Sequence, residues 1–239
     1  MNETARAPGV TIIVPAYNEE GSLRTVVEEI VEVAKSALTE WETLIVDDAS
    51  TDGTSRIAAE LRAEHPEVRC FTHETNRGSG GAILSGITNA RCDLVIYVPA
   101  DGQFHLQELG EFVDAIADCD IVIGARIGRS DYSWFRRLSS RVFIRLVNVL
   151  FRQDFRDVNW VHMWRRRVFD VVTPRARGVF LLEEILVRAE RSGFRVREID
   201  SAYIPRMAGQ AKGGNLLTIL RTIYEMAVFW FELHGFARP

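Results

Sequence analysis

The chain has 239 residues, of which 47% are hydrophobic and 26% charged, as in a globular protein with enough length for one sizeable core. Cys70, Cys92 and Cys119 are widely spaced and form no CxxC pair, so the sequence excludes a disulfide framework and a cysteine-based zinc site. The net charge of −4 combines 8 basic and 22 acidic residues over 1–125 with 21 basic and 11 acidic residues over 126–239.

In the first half of the chain, short apolar runs alternate with amphipathic helical patterns. Strands are predicted at residues 10–15, 42–46, 69–73, 93–98 and 120–124, and helices at residues 22–38, 54–64, 80–90 and 106–117. Ser22 is predicted to cap the first helix, whose apolar positions fall on one face. The alternation predicts an α/β protein with a mostly parallel sheet covered on both faces.

Polar residues collect where four of these predicted strands end. They are Tyr17, Asn18 and Glu19 after the first strand, Asp47 and Asp48 after the second, Asp101 and Gln103 after the fourth, and Arg126 after the fifth. Sheets of this type bind ligands beyond the carboxyl ends of their strands. We therefore expect these side chains to line one site.

The second half of the chain contains two amphipathic helical patterns. Residues 134–151 interleave apolar residues with arginines, and residues 216–236 form a more apolar stretch. The sequence has no run of apolar residues long enough for a transmembrane helix, and MNETARAPGV lacks the features of a secretion signal. Both helices are predicted to contact a membrane surface through their apolar and basic side chains, and the basic second half of the chain would favour an anionic surface or phosphates. The alternative is that both helices pack on protein and that the charges are distributed unevenly without a functional reason.

Three polar motifs have both a functional and a structural interpretation. The turn over residues 47–54 either offers carboxylates to a nucleoside or only connects a strand to a helix. Asp101 and Gln103 supply oxygen ligands suited to Mg²⁺ or Mn²⁺ on a diphosphate, or Asp101 caps a helix. Arg206 and Lys212 flank a loop that either closes over phosphates or is a solvated turn.

Together, these motifs resemble those of family 2 glycosyltransferases, particularly the dolichyl- and polyprenyl-phosphate mannosyltransferases. In chain order they are residues 15–20 (PAYNEE), 47–54 (DDASTDGT), 76–78 with 80–82, 100–103 (ADGQ), 124–126 (GAR), and Arg206 with Gly209 and Lys212. The resemblance extends over roughly residues 10–214. It implies a GT-A fold, which is Rossmann-like, an inverting transfer and a nucleotide-diphosphate-sugar donor.

The resemblance also implies roles for individual residues. The nucleoside-binding residues would be Pro15, Tyr17, Glu19, Val46 and Asp48. The residues beside the diphosphate would be Pro99, Ala100 and Asp101, with Asp101 and Gln103 as metal ligands. The phosphate-binding cations would be Arg126, Arg206 and Lys212, which with Asp101 form the catalytic group. Asp157 and Glu184 lie where the family often has acidic residues, although a structural salt bridge explains either.

One position departs from the family pattern. Pro99 stands two residues before Asp101, where the family usually has an acidic residue. Proline has no side-chain oxygen, so we expect weaker binding of Mg²⁺ or Mn²⁺, or a reduced need for it.

The reaction implied is transfer of a hexose, with mannose favoured over glucose, from a GDP-mannose or UDP-glucose type of donor to a polyprenyl (dolichyl-type) phosphate. We expect a catalytic domain over residues 1–214 and an amphipathic, interfacial helix over residues 215–239. The protein would be cytoplasmic and peripheral to a membrane. A separate membrane-anchoring subunit is compatible with this expectation, and no nucleic-acid partner is expected. Two alternatives stay open: a family 2 enzyme with a saccharide or other small acceptor, for which Asp157 is a candidate base, and a non-catalytic nucleotide-sugar-binding protein.

Overall fold

The computed structural model describes residues 8–128, 134–206 and 216–235. The strands are β1 (Val10–Ala16), β2 (Trp41–Asp47), β3 (Val68–Thr72), β4 (Leu94–Tyr97), β5 (Ile121–Ile127), β6 (His162–Arg165) and β7 (Val196–Ala202). The helices are α1 (Leu23–Ala37), α2 (Thr54–Glu64), α3 (Gly78–Asn89), α4 (Leu109–Ala115), α5 (Trp134–Phe151), α6 (Val168–Val171), α7 (Leu181–Arg191) and α8 (Leu216–Leu233). In this part of the chain the strands form one sheet in the order β3-β2-β1-β4-β6-β5-β7.

The sheet is mostly parallel, as the alternation of strands and helices predicts. β1 pairs in parallel with β2 and β4, and β5 pairs in parallel with β7. β6 runs antiparallel to both of its neighbours, β4 and β5. A strand covered on both faces needs a continuous apolar run, and Ile12, Ile13 and Val14 supply one that is fully buried.

Helices cover both faces of the sheet, and successive residues of β1 point into different cores. Ile12 packs in a core with residues of α1, α2 and α4. Ile13 packs in a second core with residues of α3, α5, α7 and α8. This division follows from the alternating direction of side chains along a strand.

Most of the predicted helices are confirmed, with two differences in detail. The apolar face of α1 is buried as predicted. Ser22 precedes α1, but its hydroxyl donates to Oε2 of Glu19 at 3.3 Å and caps no helix amide, so the predicted cap is wrong. The helix predicted at 106–117 is α4 flanked by short 3₁₀ turns at 106–108 and 116–118.

The elements between α5 and α8 are not predicted by the sequence patterns. β6 has four residues, which is too short for a clear alternation. β7 reads VREIDSA and lies at the edge of the sheet, where charged residues commonly interrupt the apolar pattern. Both strands are recognised only from their pairing, β6 with β4 and β5, and β7 with β5.

α5 and α8 pack against each other through Phe151 and Phe229, whose ring centroids are 5.3 Å apart. Both helices also carry exposed apolar residues, which we together call the exposed apolar face: Trp134, Leu138, Val142 and Val149 on α5 with Ile219, Leu220, Ile223 and Tyr224 on α8. In the described residues, no helix combines the length and the hydropathy needed to cross a bilayer.

Candidate active site

An open pocket of about 620 Å³ lies at the carboxyl ends of β1, β2 and β4. In the sheet, β2 and β3 lie on one side of β1, whereas β4 lies on its other side, so the strand order reverses between β1 and β4. Open α/β sheets bind ligands at such a reversal. The residues implied by the motifs that line it are Pro15, Tyr17, Glu19, Asp48, Pro99, Ala100, Asp101 and Arg206. The expectation that residues distant in sequence share one site is met for these positions.

Asp48 is buried at the pocket floor and organises its surroundings. Its carboxylate accepts hydrogen bonds from the backbone amides of Arg77 and Gly78, both at 2.8 Å, at the start of α3. The same carboxylate is 2.6 Å from Nδ1 of His73. Asp48 therefore joins the end of β2 to the start of α3, and the pocket wall formed by that helix depends on it.

Asp101 forms an ion pair that the sequence does not predict. Its Oδ2 lies 2.7 Å from Nη2 of Arg206, and its Oδ1 accepts the backbone amide of Gln103 at 3.2 Å. The next helical turn begins at Leu106, so Asp101 is not a helix cap. Burial raises the pKa of the Asp101 carboxyl above its ordinary value, and the positive charge of Arg206 opposes this effect.

Gln103 and Val46 lie outside the residues that line the pocket. The side-chain amide of Gln103 donates to the hydroxyl of Tyr203 at 2.6 Å, and the backbone carbonyl of Gln103 accepts a hydrogen bond from the backbone amide of Ile204 at 3.0 Å. These bonds fix the segment that leads to Arg206. Val46 is fully buried in the core of β2.

Arg126 also lies outside the lining residues and is held from two sides. Its Nε and Nη2 donate to the two carboxylate oxygens of Asp157 at 2.7 and 3.0 Å, a bidentate pair. Its guanidinium carbon is 5.0 Å from the centroid of the Trp160 ring. Asp157 is only 1% exposed, so this pair positions the guanidinium firmly.

Two ionisable side chains are buried near Asp157. Both carboxyl oxygens of Glu183 lack a hydrogen-bond partner among the described residues, and burial raises the pKa of this carboxyl well above its ordinary value. Both ring nitrogens of His162 likewise lack a partner there, and burial lowers the pKa of His162 to about 3. Near neutral pH the His162 ring is therefore uncharged, and burial favours the protonated, uncharged form of Glu183.

The start of α3 approaches the loop before α7 very closely. A Cβ atom at Gly80 would lie 2.5 Å from the carbonyl oxygen of Gly178 and 2.7 Å from that of Arg177. The amide of Gly81 donates to the carbonyl of Arg177 at 3.2 Å. The glycines of this motif thus allow two pocket walls to meet, which is a physical reason for glycine at position 80.

Sequence patterns missed part of the pocket lining. The missed residues on the body of the domain are Tyr97, Asn159, Val179, Leu181 and Leu182, and those on α8 are Thr218, Arg221 and Thr222. Asn159 precedes β6, whereas the other polar residues follow parallel strands, so a search after strand ends overlooks it. The polar stripe of α8 gives a signal, since Thr218, Arg221 and Thr222 fall on one side of the helix.

The residues around Asp101 offer limited ligation for a divalent metal. Pro99 contributes no side-chain oxygen, and the side-chain amide of Gln103 is hydrogen-bonded to Tyr203. The described residues contain no group of three His, Cys, Asp or Glu side chains arranged for a metal. Mg²⁺ is often held by one or two protein carboxylates together with substrate phosphates, and Asp101 supplies one such carboxylate. A metal carried mainly by a diphosphate therefore fits, provided that the Asp101–Arg206 pair opens. Lys212 lies outside the described residues.

Residues 11–173 match the family described as Glycosyl transferase family 2, and the chain belongs to that family. This confirms the resemblance inferred from the motifs. An undecaprenyl-phosphate mannosyltransferase from Micrococcus luteus is 27% identical over 217 residues, which cover 85% of this chain and 86% of that protein.

Two further relatives are longer than this chain. Glycosyltransferase AglD from Haloferax volcanii is 29% identical over 240 residues, which cover 96% of this chain and 38% of that protein. An undecaprenyl-phosphate 4-deoxy-4-formamido-L-arabinose transferase from Proteus mirabilis is 27% identical, with 91% of this chain and 66% of that protein covered. The chain thus spans less than two thirds of the length of these two relatives.

Solved structures confirm the GT-A fold. Glucosyl-3-phosphoglycerate synthase from Mycobacterium tuberculosis, in complex with Mn²⁺, UDP and phosphoglyceric acid, superposes with a TM-score of 0.73 at 16% identity, covering 93% of this chain and 78% of that chain. Mannosyl-3-phosphoglycerate synthase from Rubrobacter xylanophilus gives a TM-score of 0.70 at 16% identity, covering 97% and 76%.

Proposed function

We propose that this protein transfers a hexose, with mannose favoured, from a nucleotide-diphosphate sugar to the phosphate of a polyprenol, with inversion. The observation that carries the proposal is the convergence of the motif residues from β1, β2 and β4 with Arg206 on one pocket. The Micrococcus luteus relative, which acts on undecaprenyl phosphate by its name, supports this acceptor class and favours mannose.

The pocket suits a nucleotide sugar. Tyr17, Glu19 and Asp48 offer an aromatic ring and polar groups for the nucleoside at the ends of β1 and β2. Pro99, Ala100 and Asp101 lie at the end of β4, where the diphosphate would lie. Arg206 would leave Asp101 and bind the diphosphate when the donor enters, because a phosphate oxygen is a strong acceptor for guanidinium.

A phosphate acceptor is anionic near neutral pH and needs no strong general base. Catalysis would rest on orientation and on cations that offset repulsion between acceptor and donor phosphates. Arg126, Arg206 and Lys212 are the proposed cations. The buried bidentate pair of Asp157 with Arg126 supports a positioning role for this carboxylate rather than that of a base, which favours the phosphate acceptor over a saccharide.

Asp101 would hold a divalent metal together with the donor diphosphate, and the metal would neutralise charge on the leaving nucleotide. We expect Mg²⁺ or Mn²⁺ to bind weakly, because Pro99 removes one ligand and Arg206 competes for Asp101. Activity titrated against Mn²⁺ should saturate well above micromolar concentrations or persist in chelator. Tight micromolar saturation would contradict this expectation.

Lys212 is proposed to bind phosphate during transfer, and the chain offers a matched control. We expect Lys212→Ala to reduce the turnover number at least about tenfold, because removal of a charge-assisted bond to phosphate costs more than 1.4 kcal/mol. Lys35, on the exposed side of α1, is the other lysine of the chain, and Lys35→Ala should retain turnover. Equal turnover of both variants would remove Lys212 from the mechanism.

The proposed acceptor is a lipid, and the exposed apolar face gives the protein a means to reach it. Exposed arginines 137, 141 and 145 lie on α5 beside the apolar residues of this face. Aromatic, aliphatic and basic residues together suit the interface of an anionic bilayer. We therefore propose that the protein acts at a membrane surface, on the cytoplasmic side where nucleotide sugars are supplied.

The decisive experiment incubates the protein with polyprenyl phosphate and a panel of labelled nucleotide sugars, GDP-mannose and UDP-glucose among them. Transfer of label into the organic phase with one donor supports the proposal and identifies the sugar. Label transferred only to a water-soluble saccharide would support the other acceptor class. Donor binding without hydrolysis or transfer would indicate a binding protein.

A further inference from the structure

The inward side of α8 forms part of the pocket wall, and no motif accounts for it. Thr218, Arg221 and Thr222 line the pocket, at a spacing that puts them on one side of the helix. Leu220 and Ile223, on the other side, belong to the exposed apolar face. One helix thus presents polar groups to the pocket and apolar groups to the surroundings.

Arg221 is steadied by Glu225, one helical turn further on. Oε1 of Glu225 accepts a hydrogen bond from Nε of Arg221 at 3.0 Å. It also accepts hydrogen bonds from the backbone amides of Gly178 and Arg177, at 3.2 and 3.4 Å. The Glu225 side chain is 12% exposed. Glu225 therefore connects α8 to the loop before α7, and it fixes the base of the Arg221 side chain at the pocket rim.

The orientation of this arginine suits an anionic ligand. Within the described residues, the contact with Glu225 engages Nε and leaves the Nη side of the guanidinium for an incoming group. The Arg221 side chain is 52% exposed, so it meets a ligand without the cost of uncovering a buried charge. A planar guanidinium binds phosphate oxygens in a bidentate manner, which a solvated lysine does less well.

We propose that Arg221, positioned by Glu225, binds the phosphate of the polyprenyl acceptor as it enters the pocket. The inference rests on the proposed function and assigns its acceptor subsite to α8. The ends of β1, β2 and β4 supply the groups for the donor, whereas α8 supplies the wall that adjoins the exposed apolar face. A lipid phosphate reaches the pocket from that face, and Arg221 is the cation that it meets at the rim.

The test measures KM for both substrates in Arg221→Gln, with polyprenyl phosphate presented in vesicles. We expect KM for polyprenyl phosphate to rise about tenfold, since one charge-assisted hydrogen bond is lost, while KM for the donor and flotation with vesicles stay unchanged. Arg221→Lys keeps the positive charge but loses the planar guanidinium. Its KM for polyprenyl phosphate should therefore lie between those of the wild type and of Arg221→Gln. Arg56→Gln is the matched control, because Arg56 forms the same kind of pair with Glu60 on α2, outside the pocket lining.

An unchanged KM for polyprenyl phosphate in Arg221→Gln would overturn this assignment. So would an equal rise of both KM values, because that result indicates a general disturbance of the pocket. Absence of transfer by the unaltered protein overturns the proposed function instead. The two failures are therefore distinguishable.

Discussion

Two neighbouring carboxyl groups on α7 are held in opposite ways. The Glu184 carboxylate accepts hydrogen bonds from the backbone amides of Arg175 and Ala176, at 3.0 and 2.7 Å, and from Nε of Arg188 at 2.7 Å. Glu183 is fully buried, and its carboxyl oxygens have no partner in the described part of the chain. Hydrogen bonds therefore satisfy the carboxyl group at position 184, whereas burial disfavours an ionised carboxylate at position 183.

We expect Glu183→Gln to stabilise the protein at neutral pH. Burial and the nearby Asp157 and Glu225 raise the pKa of Glu183, while Arg126 lowers it. Since the folded pKa is raised, the unfolded chain ionises first, and the wild type loses stability as pH rises above the ordinary value of 4.5. The gain in Tm of the variant should therefore be small at pH 4.5 and larger at pH 8.

Glu184→Gln is the control for this prediction. It weakens bonds to two amides and to Arg188, so it should lower stability at neutral pH by roughly 1 to 3 kcal/mol. Thermal unfolding of both variants across the pH range checks the signs. A Tm difference for Glu183→Gln that does not change with pH would mean that this carboxyl is not the source of the effect.

The individual roles of site residues were only partly predictable. The strand-end pattern identified Asp48 and Asp101, because polar residues after parallel strands converge at one edge of the sheet, and the resemblance of the loop motif identified Arg206. They could not identify partners such as Tyr203 for Gln103, which lie 100 positions apart in the sequence. A pairing of this kind depends on how separate elements pack, and a single sequence contains no local signal for it.

At the level of elements, the packing of α3 against the loop before α7 depends on Gly80. Gly80→Ala places a methyl group against the backbone carbonyls of Arg177 and Gly178, neither of which is the end of a flexible side chain. We expect a loss of about 1 to 3 kcal/mol in stability, because overpacking forces the backbone to shift. Donor affinity should fall as well, since Gly78 and Gly178 belong to the pocket walls.

Gly110 provides the matched control on α4. A Cβ atom there meets nothing within 4 Å beyond the neighbouring backbone of its own helix. Gly110→Ala should raise stability by up to about 1 kcal/mol, since alanine favours the helix. Urea unfolding and donor titration of both variants check the prediction, and equal effects at the two positions would contradict it.

Elements with strong periodicity were predicted with nearly correct bounds. α2 and α5 begin and end at the predicted residues, because apolar residues recur along them at helical spacing. β6 and β7 were missed because one is too short for periodicity and the other carries charged residues at an edge. The antiparallel direction of β6 has no signature in its own residues, since it is set by the connection that precedes it.

For the whole molecule, the basic charge of the second half and the exposed apolar face predict binding to anionic vesicles. Val142→Glu introduces a negative charge on this face, where Val142 is 57% exposed, and should strongly reduce flotation. Val171, on α6, is 62% exposed and outside this face, so Val171→Glu should float like the wild type. Flotation should also weaken at high salt, and indifference to both salt and Val142→Glu would contradict the prediction.

The position of β6 between β4 and β5 has a consequence for how the chain is made. When a ribosome has released residues 8–128, β3, β2, β1 and β4 can pair with one another. The other edge of β4 stays unpaired until β6, at residues 162–165, has been synthesised. An open edge of buried apolar residues is a template for pairing with other chains. Until β6 is made, the nascent protein therefore has a β4 edge that is open to such pairing, and we expect fragments that end before β6 to aggregate.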